Sequence, residues 1–244
     1  MKLSRILATA ARVLNQIRHD HRTLVLLLLV PALLVGLVAW IFTDTPVFAR
    51  IGPAMIALFP FIVMFLVTSI ATLRERRSGT LERLLSLPMG KADFILGYAL
   101  AFGLLAIVQT GIAVGFAVWV AGLEVSGNVG LLFMVAIADA LLGTALGLLA
   151  SAFARSEFQV VQFMPALVFP QILLGGIFLP REQLPSVLEA IGDVLPLSHA
   201  IDALTAVANG DTDTGYIWVR IGFIAAWILG AIIIGSLTLR RRTA

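Results

Sequence analysis

The sequence predicts an all-α integral membrane protein with six transmembrane helices, and three observations carry that prediction. Hydrophobic residues make up 60% of the 244 residues and charged residues 13%, with a mean hydropathy of +1.02. A soluble chain of this length needs far more polar surface. The charges cluster, leaving windows of about 20 apolar residues, the length that spans a bilayer. The basic residues also fall at alternate ends of those windows, as they do in a chain that crosses a membrane repeatedly.

Residues 3–19 come first. Leu3, Ile6, Leu7, Ala10, Leu14 and Ile17 project onto one side of a helix, and Lys2, Arg5, Thr9, Arg12, Gln16 and His19 onto the other. A basic amphipathic helix beside a span is expected in the membrane interface, its basic face toward anionic headgroups. About 20 residues containing polar groups precede the first apolar run, so a cleavable signal peptide is not expected. His19 and His21 flank Asp20, but histidines at i and i+2 do not share a helix face, and no metal site is expected there.

The spans are expected at 23–42, 51–73, 93–120, 129–153, 158–179 and 216–239. The first contains Pro31 and Gly36, and the second Pro53 and Pro60. Asp93 is a plausible N-cap for the third, which is longer than a bilayer requires and should tilt or protrude. Gly111 and Gly115, and then Gly143 and Gly147, are spaced as GxxxG pairs that permit close helix approach. The fifth span is interrupted by Pro165, Pro170 and Gly175-Gly176, and irregular backbone at that depth must face protein or a water-filled cavity. Residues 180–215 hold two helical patterns of about ten residues each, too short to cross. Leu184, Leu188, Ile191 and Leu195 form a stripe opened by Pro185. A second helix from Ser198 to Asn209-Gly210 carries Ile201 and Leu204, with Pro196 separating the two. Together they read as a helical hairpin dipping into the outer leaflet or lying on it. Pro180, Pro185 and Pro196 are its candidate gate residues.

With the N-terminus inside, all but Arg50, Arg181 and Arg220 of the 17 basic residues fall on the cytoplasmic side, while the hairpin carries Glu182, Glu189, Asp193, Asp202, Asp211 and Asp213. Both termini are therefore expected in the cytoplasm of a multi-pass protein of the bacterial cytoplasmic membrane. A sequence pI near 9.9 would also suit nucleic-acid binding. The arginines, however, track the ends of the spans, and no nucleic-acid motif is present. The absence of cysteine excludes disulfide and thiol chemistry.

The polar stretch between the second and third spans, residues 74–90, organises the rest. It opens Arg74-Glu75-Arg76-Arg77 and continues as a short amphipathic helix. Thr80 can cap it, Glu82 suits its first turn, and Pro88 ends it. Leu81, Leu84 and Leu85 share a face too small to build a core. The stretch reads either as a solvated basic connector or as a docking element that offers leucines and charges to a soluble partner. No GxxxxGK[ST] phosphate loop, GxSxG elbow or HExxH motif occurs, and His199 has no evident catalytic partner. No enzyme activity is expected of the chain alone.

Two runs, RERRSGTLERLLSLPMGKADFILGYALA and ALGLLASAFARSEFQVVQFMPALVFPQILLGGIFLPREQLPSVLEAIGDVLPLSHAIDALTAVANG, resemble the permease subunits of type-2 ABC exporters. The nearest branch is the drug- and antibiotic-exporting one typified by the daunorubicin exporter permease. The resemblance covers about residues 50–240. It implies a connecting helix at the N-terminus, a cytoplasmic coupling helix between spans two and three, and a re-entrant hairpin before span six. It implies a dimer, either of this chain or with a second related permease, in contact with membrane lipids. It also implies a cytosolic ATP-binding subunit that carries ATP and Mg²⁺, neither being bound by this chain. Residue by residue, ATPase coupling would fall on Glu75, Gly79, Thr80, Leu81, Glu82, Leu84 and Leu85, and the connecting-helix role on Arg5 and Arg12.

Asp139 departs from what such permeases are expected to carry in span four, where an acid costs roughly 2.5–3.5 kcal/mol on insertion scales. Asp139, Gln162 and Gln171 are candidates for a translocation path, and Gln109 and Gln159 also offer polar groups. Hydrogen bonding between helices is the alternative reading for the glutamines. The expected function is export of a hydrophobic or amphipathic substrate, such as a drug, antibiotic or lipid-like molecule. A proton-coupled secondary transporter using Asp139, and a non-transporting membrane anchor for a cytosolic enzyme, are the alternatives.

Overall fold

A computed structural model describes residues 3–78, 90–211 and 213–238. The coupling residues Gly79, Thr80, Leu81, Glu82, Leu84 and Leu85 lie outside the described residues. The elements run α1 (Leu3–His19), α2 (His21–Ile41), α3 (Val47–Arg77), α4 (Lys91–Trp119), α5 (Val129–Phe153) and α6 (Glu157–Leu174). A 3₁₀ turn (Arg181–Gln183) then precedes α7 (Ser186–Val194), α8 (Pro196–Ala208) and α9 (Thr214–Thr238). α2, α3, α4, α5, α6 and α9 are long and apolar enough to cross a membrane.

Local chemistry sets the helix starts. Asp20 caps α2 by accepting from the Thr23 amide at 3.2 Å and its hydroxyl at 2.6 Å. Asn128 accepts from the Leu131 amide to open α5, and Ser156 from the Gln159 amide to open α6. Asp93 is not the cap of α4. Gly90 occupies that position, and Asp93, three residues on, accepts the Gly90 amide at 3.2 Å. The fifth span is continuous through Pro165 and Pro170 and ends at Gly175, short of the expected 179.

The second span also differs from expectation. α3 does not stop at Leu73 but carries Arg74, Glu75, Arg76 and Arg77 as its last turn. At 31 residues it is about 46 Å long, against ~30 Å of hydrocarbon, so its polar end stands clear of the bilayer core. Arginines suit a helix C-terminus, where the dipole favours cations.

α5 is the central post, packed against α3, α4, α8 and α9. A Cβ on Gly143 would sit 2.5 Å from the Phe61 carbonyl oxygen, and one on Gly147 2.6 Å from that of Phe65. The second GxxxG pair thus brings α3 and α5 together at backbone distance, where dispersion and short contacts replace the hydrophobic drive that lipid removes. Among the described residues, the first pair does no such thing. Gly111 has nothing within 4 Å, and Gly115 meets only Trp119 of its own helix.

The buried apolar side chains form two main groups. One, toward the hairpin, joins α3 and α5 to α8 and α9 through Ile56, Phe61, Leu132 and Leu204. The other, toward the arginine-rich end, joins α1 and α2 to α4 through Val13, Leu27, Phe94 and Phe102. α1 lies on α4 with Thr9, Ala10, Val13 and Ile17 buried, while Leu3 and Leu7 stay exposed. Its inward face is therefore turned from the one expected, and Thr9 faces protein. A Cβ on Gly97 would come within 2.6 Å of Thr9 Cβ, so this glycine sets how closely the two helices approach.

The two short helices of the hairpin pack into the bundle. α7 and α8 meet at 86°. α8 is buried almost all round, including Leu197, His199, Ala200, Ala203 and Leu204. Pro196 stands where the two helices separate: it is the first residue of α8, where its missing N–H costs nothing, and it keeps Leu195 before it extended, so that α8 begins two residues earlier than the expected Ser198. Pro185 likewise opens α7, and Pro180 precedes the 3₁₀ turn.

Candidate functional site

Among the described residues, the charged side chains other than Asp139 gather at the two ends of the bundle. At the arginine-rich end, three elements meet around Glu75, on the last turn of α3. Arg12 of α1 donates to Glu75 Oε1 at 2.7 Å and Gln16 donates to the same oxygen at 3.1 Å, while the second arm of Arg12 donates to the Tyr98 hydroxyl of α4 at 3.1 Å. Tyr98 is buried and tilted against Phe94 at 4.4 Å between ring centroids, which fixes its position. Burial opposes the Arg12 charge, but the hydrogen bonds to Glu75 and Tyr98 and their attraction outweigh it, and the guanidinium pKa is raised. The Glu75 side chain is 12% exposed, so its ion pair with Arg12 is better shielded than an ordinary surface pair.

The same turn of α3 also reaches the other way. Arg74 forks onto Glu157 of α6, Nε to Oε1 at 2.8 Å and Nη2 to Oε2 at 3.1 Å. Arg76 donates to the Ser151 carbonyl near the end of α5. Arg5 lies 3.9 Å from Asp93 at the start of α4. The helix end that leads into residues 79–89 is thus tied to α1, α4, α5 and α6 at once. The polar face of α1 therefore meets protein acids through Arg5 and Arg12, where headgroups had been expected.

At the opposite end, Asp202 of α8 receives Arg181 at 2.5 Å and Arg220 of α9 at 3.3 Å, with Asp193 3.6 Å from Arg181. Arg220 Nη1 is 2.8 Å from His199 Nδ1. Because guanidinium can only donate, that nitrogen accepts. His199 stacks on Phe223 at 4.5 Å, and Arg220 also donates to the Tyr216 hydroxyl. Two backbone seams close the hairpin. The Gln171 side-chain oxygen accepts the Leu197 amide, the first N–H of α8, at 3.0 Å, and the Ser126 amide donates to Ala208 at the far end of α8.

The sequence-derived path candidates are not hydrogen-bonded to one another. Gln171 is committed to α8 and to the Leu167 carbonyl. Gln162 is exposed on the outer face of α6. Asp139 is fully buried in α5, and neither oxygen has a partner among the described residues. The same holds for both amide atoms of Gln109 in α4. Gln159 accepts the Arg155 amide. Sequence reasoning missed Tyr98 and Glu157, and it read Asp93 only as a helix cap and Asp202 only as one of the hairpin's acids. The available signal was an isolated charge or hydroxyl beside an apolar run, which must find a partner once buried. Among the described residues, no group of three or more His, Cys, Asp or Glu side chains could hold a metal ion.

A family model described as ABC-2 type transporter matches residues 5–208. ABC transporter G family member 20 of Dictyostelium discoideum is 26% identical over 79% of this chain and 27% of its own length. The probable multidrug ABC transporter permease YbhR of Escherichia coli is 26% identical over 68% of this chain and 45% of its own. The inner membrane transport permease YhhJ of Escherichia coli is 28% identical over 62% and 41%. The chain thus spans between about a quarter and a half of these relatives' lengths.

Proposed function

The chain belongs to the ABC-2 type transporter family, and from that premise we propose that it is the membrane-spanning subunit of an ATP-driven exporter of hydrophobic or amphipathic molecules. The observation that carries this reading is the Arg12–Glu75–Tyr98 junction. It fixes an interfacial helix, the end of one span and the start of the next to the root of residues 79–89. Movement imposed there by a cytosolic ATP-binding subunit, which holds ATP and Mg²⁺, passes to α1 and α4 through the junction and to α5 and α6 through Arg74 and Arg76.

In this reading the arginine-rich end faces the cytoplasm, in keeping with the distribution of basic residues. Leu81, Leu84 and Leu85 meet a cleft on the ATPase, with Gly79, Thr80 and Glu82 taking part in the same coupling. The substrate path runs between two such subunits. Gln162, exposed on α6 among Phe158 and Phe169, lines it, whereas Asp139 and Gln171 serve the interior of each subunit. The multidrug permease among the relatives supports a drug-like or lipid-like cargo. The α7–α8 hairpin, opened by Pro180, Pro185 and Pro196, bounds the outer end of the path.

The test is the double substitution Leu84→Ala with Leu85→Ala, read by recovery of the ATPase with the purified permease, ATP hydrolysis by the complex, and efflux from cells. Truncated interface anchors cost above about 1 kcal/mol each and rim charges less, so the double variant should lose ATPase and efflux while Glu82→Ala retains most of both. A double variant that inserts normally, keeps its ATPase and exports would remove residues 79–89 from the coupling surface.

A further inference from the structure

Between α1, α2, α3 and α4, at the arginine-rich end, lies a cavity of about 500 Å³, within the ~300–1,000 Å³ range of small-ligand sites. Its wall is apolar, with Ile17, Leu66, Val67, Ile70 and Phe102, and its mouth is polar, with Gln16, Asp20, Arg74 and Glu75. The division into an apolar wall and a charged mouth fits an amphiphile.

The charges at the mouth decide which kind. Arg74 is engaged by Glu157 through two hydrogen bonds. Glu75 is engaged by Arg12 at 2.7 Å. Asp20 is left over. Its two oxygens accept the Thr23 amide and hydroxyl, and no arginine, lysine or histidine lies within ion-pair distance of it among the described residues. Those same Thr23 hydrogen bonds hold its carboxyl below the usual aspartate range, so it stays ionised. A carboxylate has about four acceptor positions, and Thr23 fills two. Arg18, Arg22, His19 and His21 flank Asp20 in sequence, but none of them lines the cavity.

We propose that this cavity binds an amphiphile with a primary-amine head, the ammonium at Asp20 and the chain along the apolar wall. An aminophospholipid and a free alkylamine offer the same chemistry. The site shares Gln16, Arg74, Glu75 and Tyr98 with the junction, but its test reads binding and not export, so one reading can fail without the other.

The test uses the full chain in phosphatidylcholine nanodiscs and a dodecylamine carrying a chain diazirine, with photolabelled positions mapped by peptide mass spectrometry. Labels should concentrate on α1, α2 and α3 residues of the cavity. Unlabelled dodecylamine should compete, and dodecanol and dodecyl sulfate should compete more weakly. Asp20→Asn keeps the helix cap, since asparagine caps as well as aspartate, but removes the charge, and should lower cavity labelling about fivefold. Ala71→Phe, which fills the cavity from α3, should abolish cavity labelling while the Asp20 carboxylate remains. Suppression of labelling by phosphatidylethanolamine in the discs identifies a lipid as the natural occupant, and no suppression identifies a free amine. Labelling spread evenly over the spans, equal competition by dodecyl sulfate, or undiminished cavity labelling in a folded Ala71→Phe variant would overturn the proposal.

Discussion

The two ends of the bundle use charge in opposite ways. At the hairpin end one aspartate serves two arginines, and the arrangement is shut in: Arg181 is 9% exposed, Asp202 16% and Arg220 19%. At the arginine-rich end each acid has its own arginine, and exposure rises outward, from 29% and 12% for Arg12 and Glu75 to 62% and 45% for Arg74 and Glu157. A shared, largely shielded acid cannot be given up without taking the nearest counter-charge from two poorly solvated arginines, so it acts as a fastener. At the arginine-rich end Glu75 is as closely shielded as Asp202, and it is the open Arg74–Glu157 pair that can part and re-form at little cost, as a joint that moves requires. The backbone agrees with the side chains. α8 is bonded at both its ends, to Gln171 and to Ser126, whereas the arginine-rich end holds its elements together mainly through long side chains.

That comparison can be broken at the fastener first. Asp202→Ala leaves Arg181 with only the half-exposed Asp193 at 3.6 Å, and loss of one partner from a buried ion pair costs about 3–5 kcal/mol. Thermal unfolding in mild detergent should show the largest fall of any variant here. A fall no greater than that of Arg74→Ala would mean that the hairpin is not fastened by charge.

Gln171→Ala comes next. It strands the Leu197 amide at the buried start of α8, a loss of about 1–3 kcal/mol. Hydrogen exchange should rise at Leu197 and Ser198 while α4 stays protected. Unchanged exchange there would show that the seam is held by packing alone.

Arg12→Ala and Glu75→Ala, singly and together, sharpen the joint. A hydrogen-bonded, half-shielded pair should give a coupling of about 1–2 kcal/mol in unfolding. Each single variant should lose more transport than stability, and the double variant should be no worse than either. Additive losses would mean that the two side chains act apart.

The smallest effect belongs to Arg74→Ala, at about 0.2–1 kcal/mol, fading as salt rises because the pair is exposed. Titrating salt against the unfolding midpoint of wild type and variant should bring the two curves together. A difference that persists at high salt would place Arg74–Glu157 with the fastener instead of the joint.

The sequence by itself determined six helices long and apolar enough to cross a membrane, the amphipathic N-terminal helix and the two short helices before the last of the six, because apolar run length and helical periodicity are local properties that lipid and water read directly. It also pointed to Glu75, Arg5 and Arg12, since charges crowded beside apolar runs must lie at an end of the bundle. Only the tertiary structure decided their partners. Nothing local to Arg12 specifies Glu75, 63 residues away, or Tyr98, 86 residues away. The rotation of α1 was set by Gly97, where α4 lets the backbone of α1 approach, and not by the hydrophobic stripe of α1. One GxxxG pair became a helix contact and the other did not, because the spacing permits close approach but the facing surface must come from another helix. Gln162 and Gln171 look alike in the sequence. One is exposed on the outer face of α6 and the other caps α8, because nine residues of helix turn them toward different neighbours.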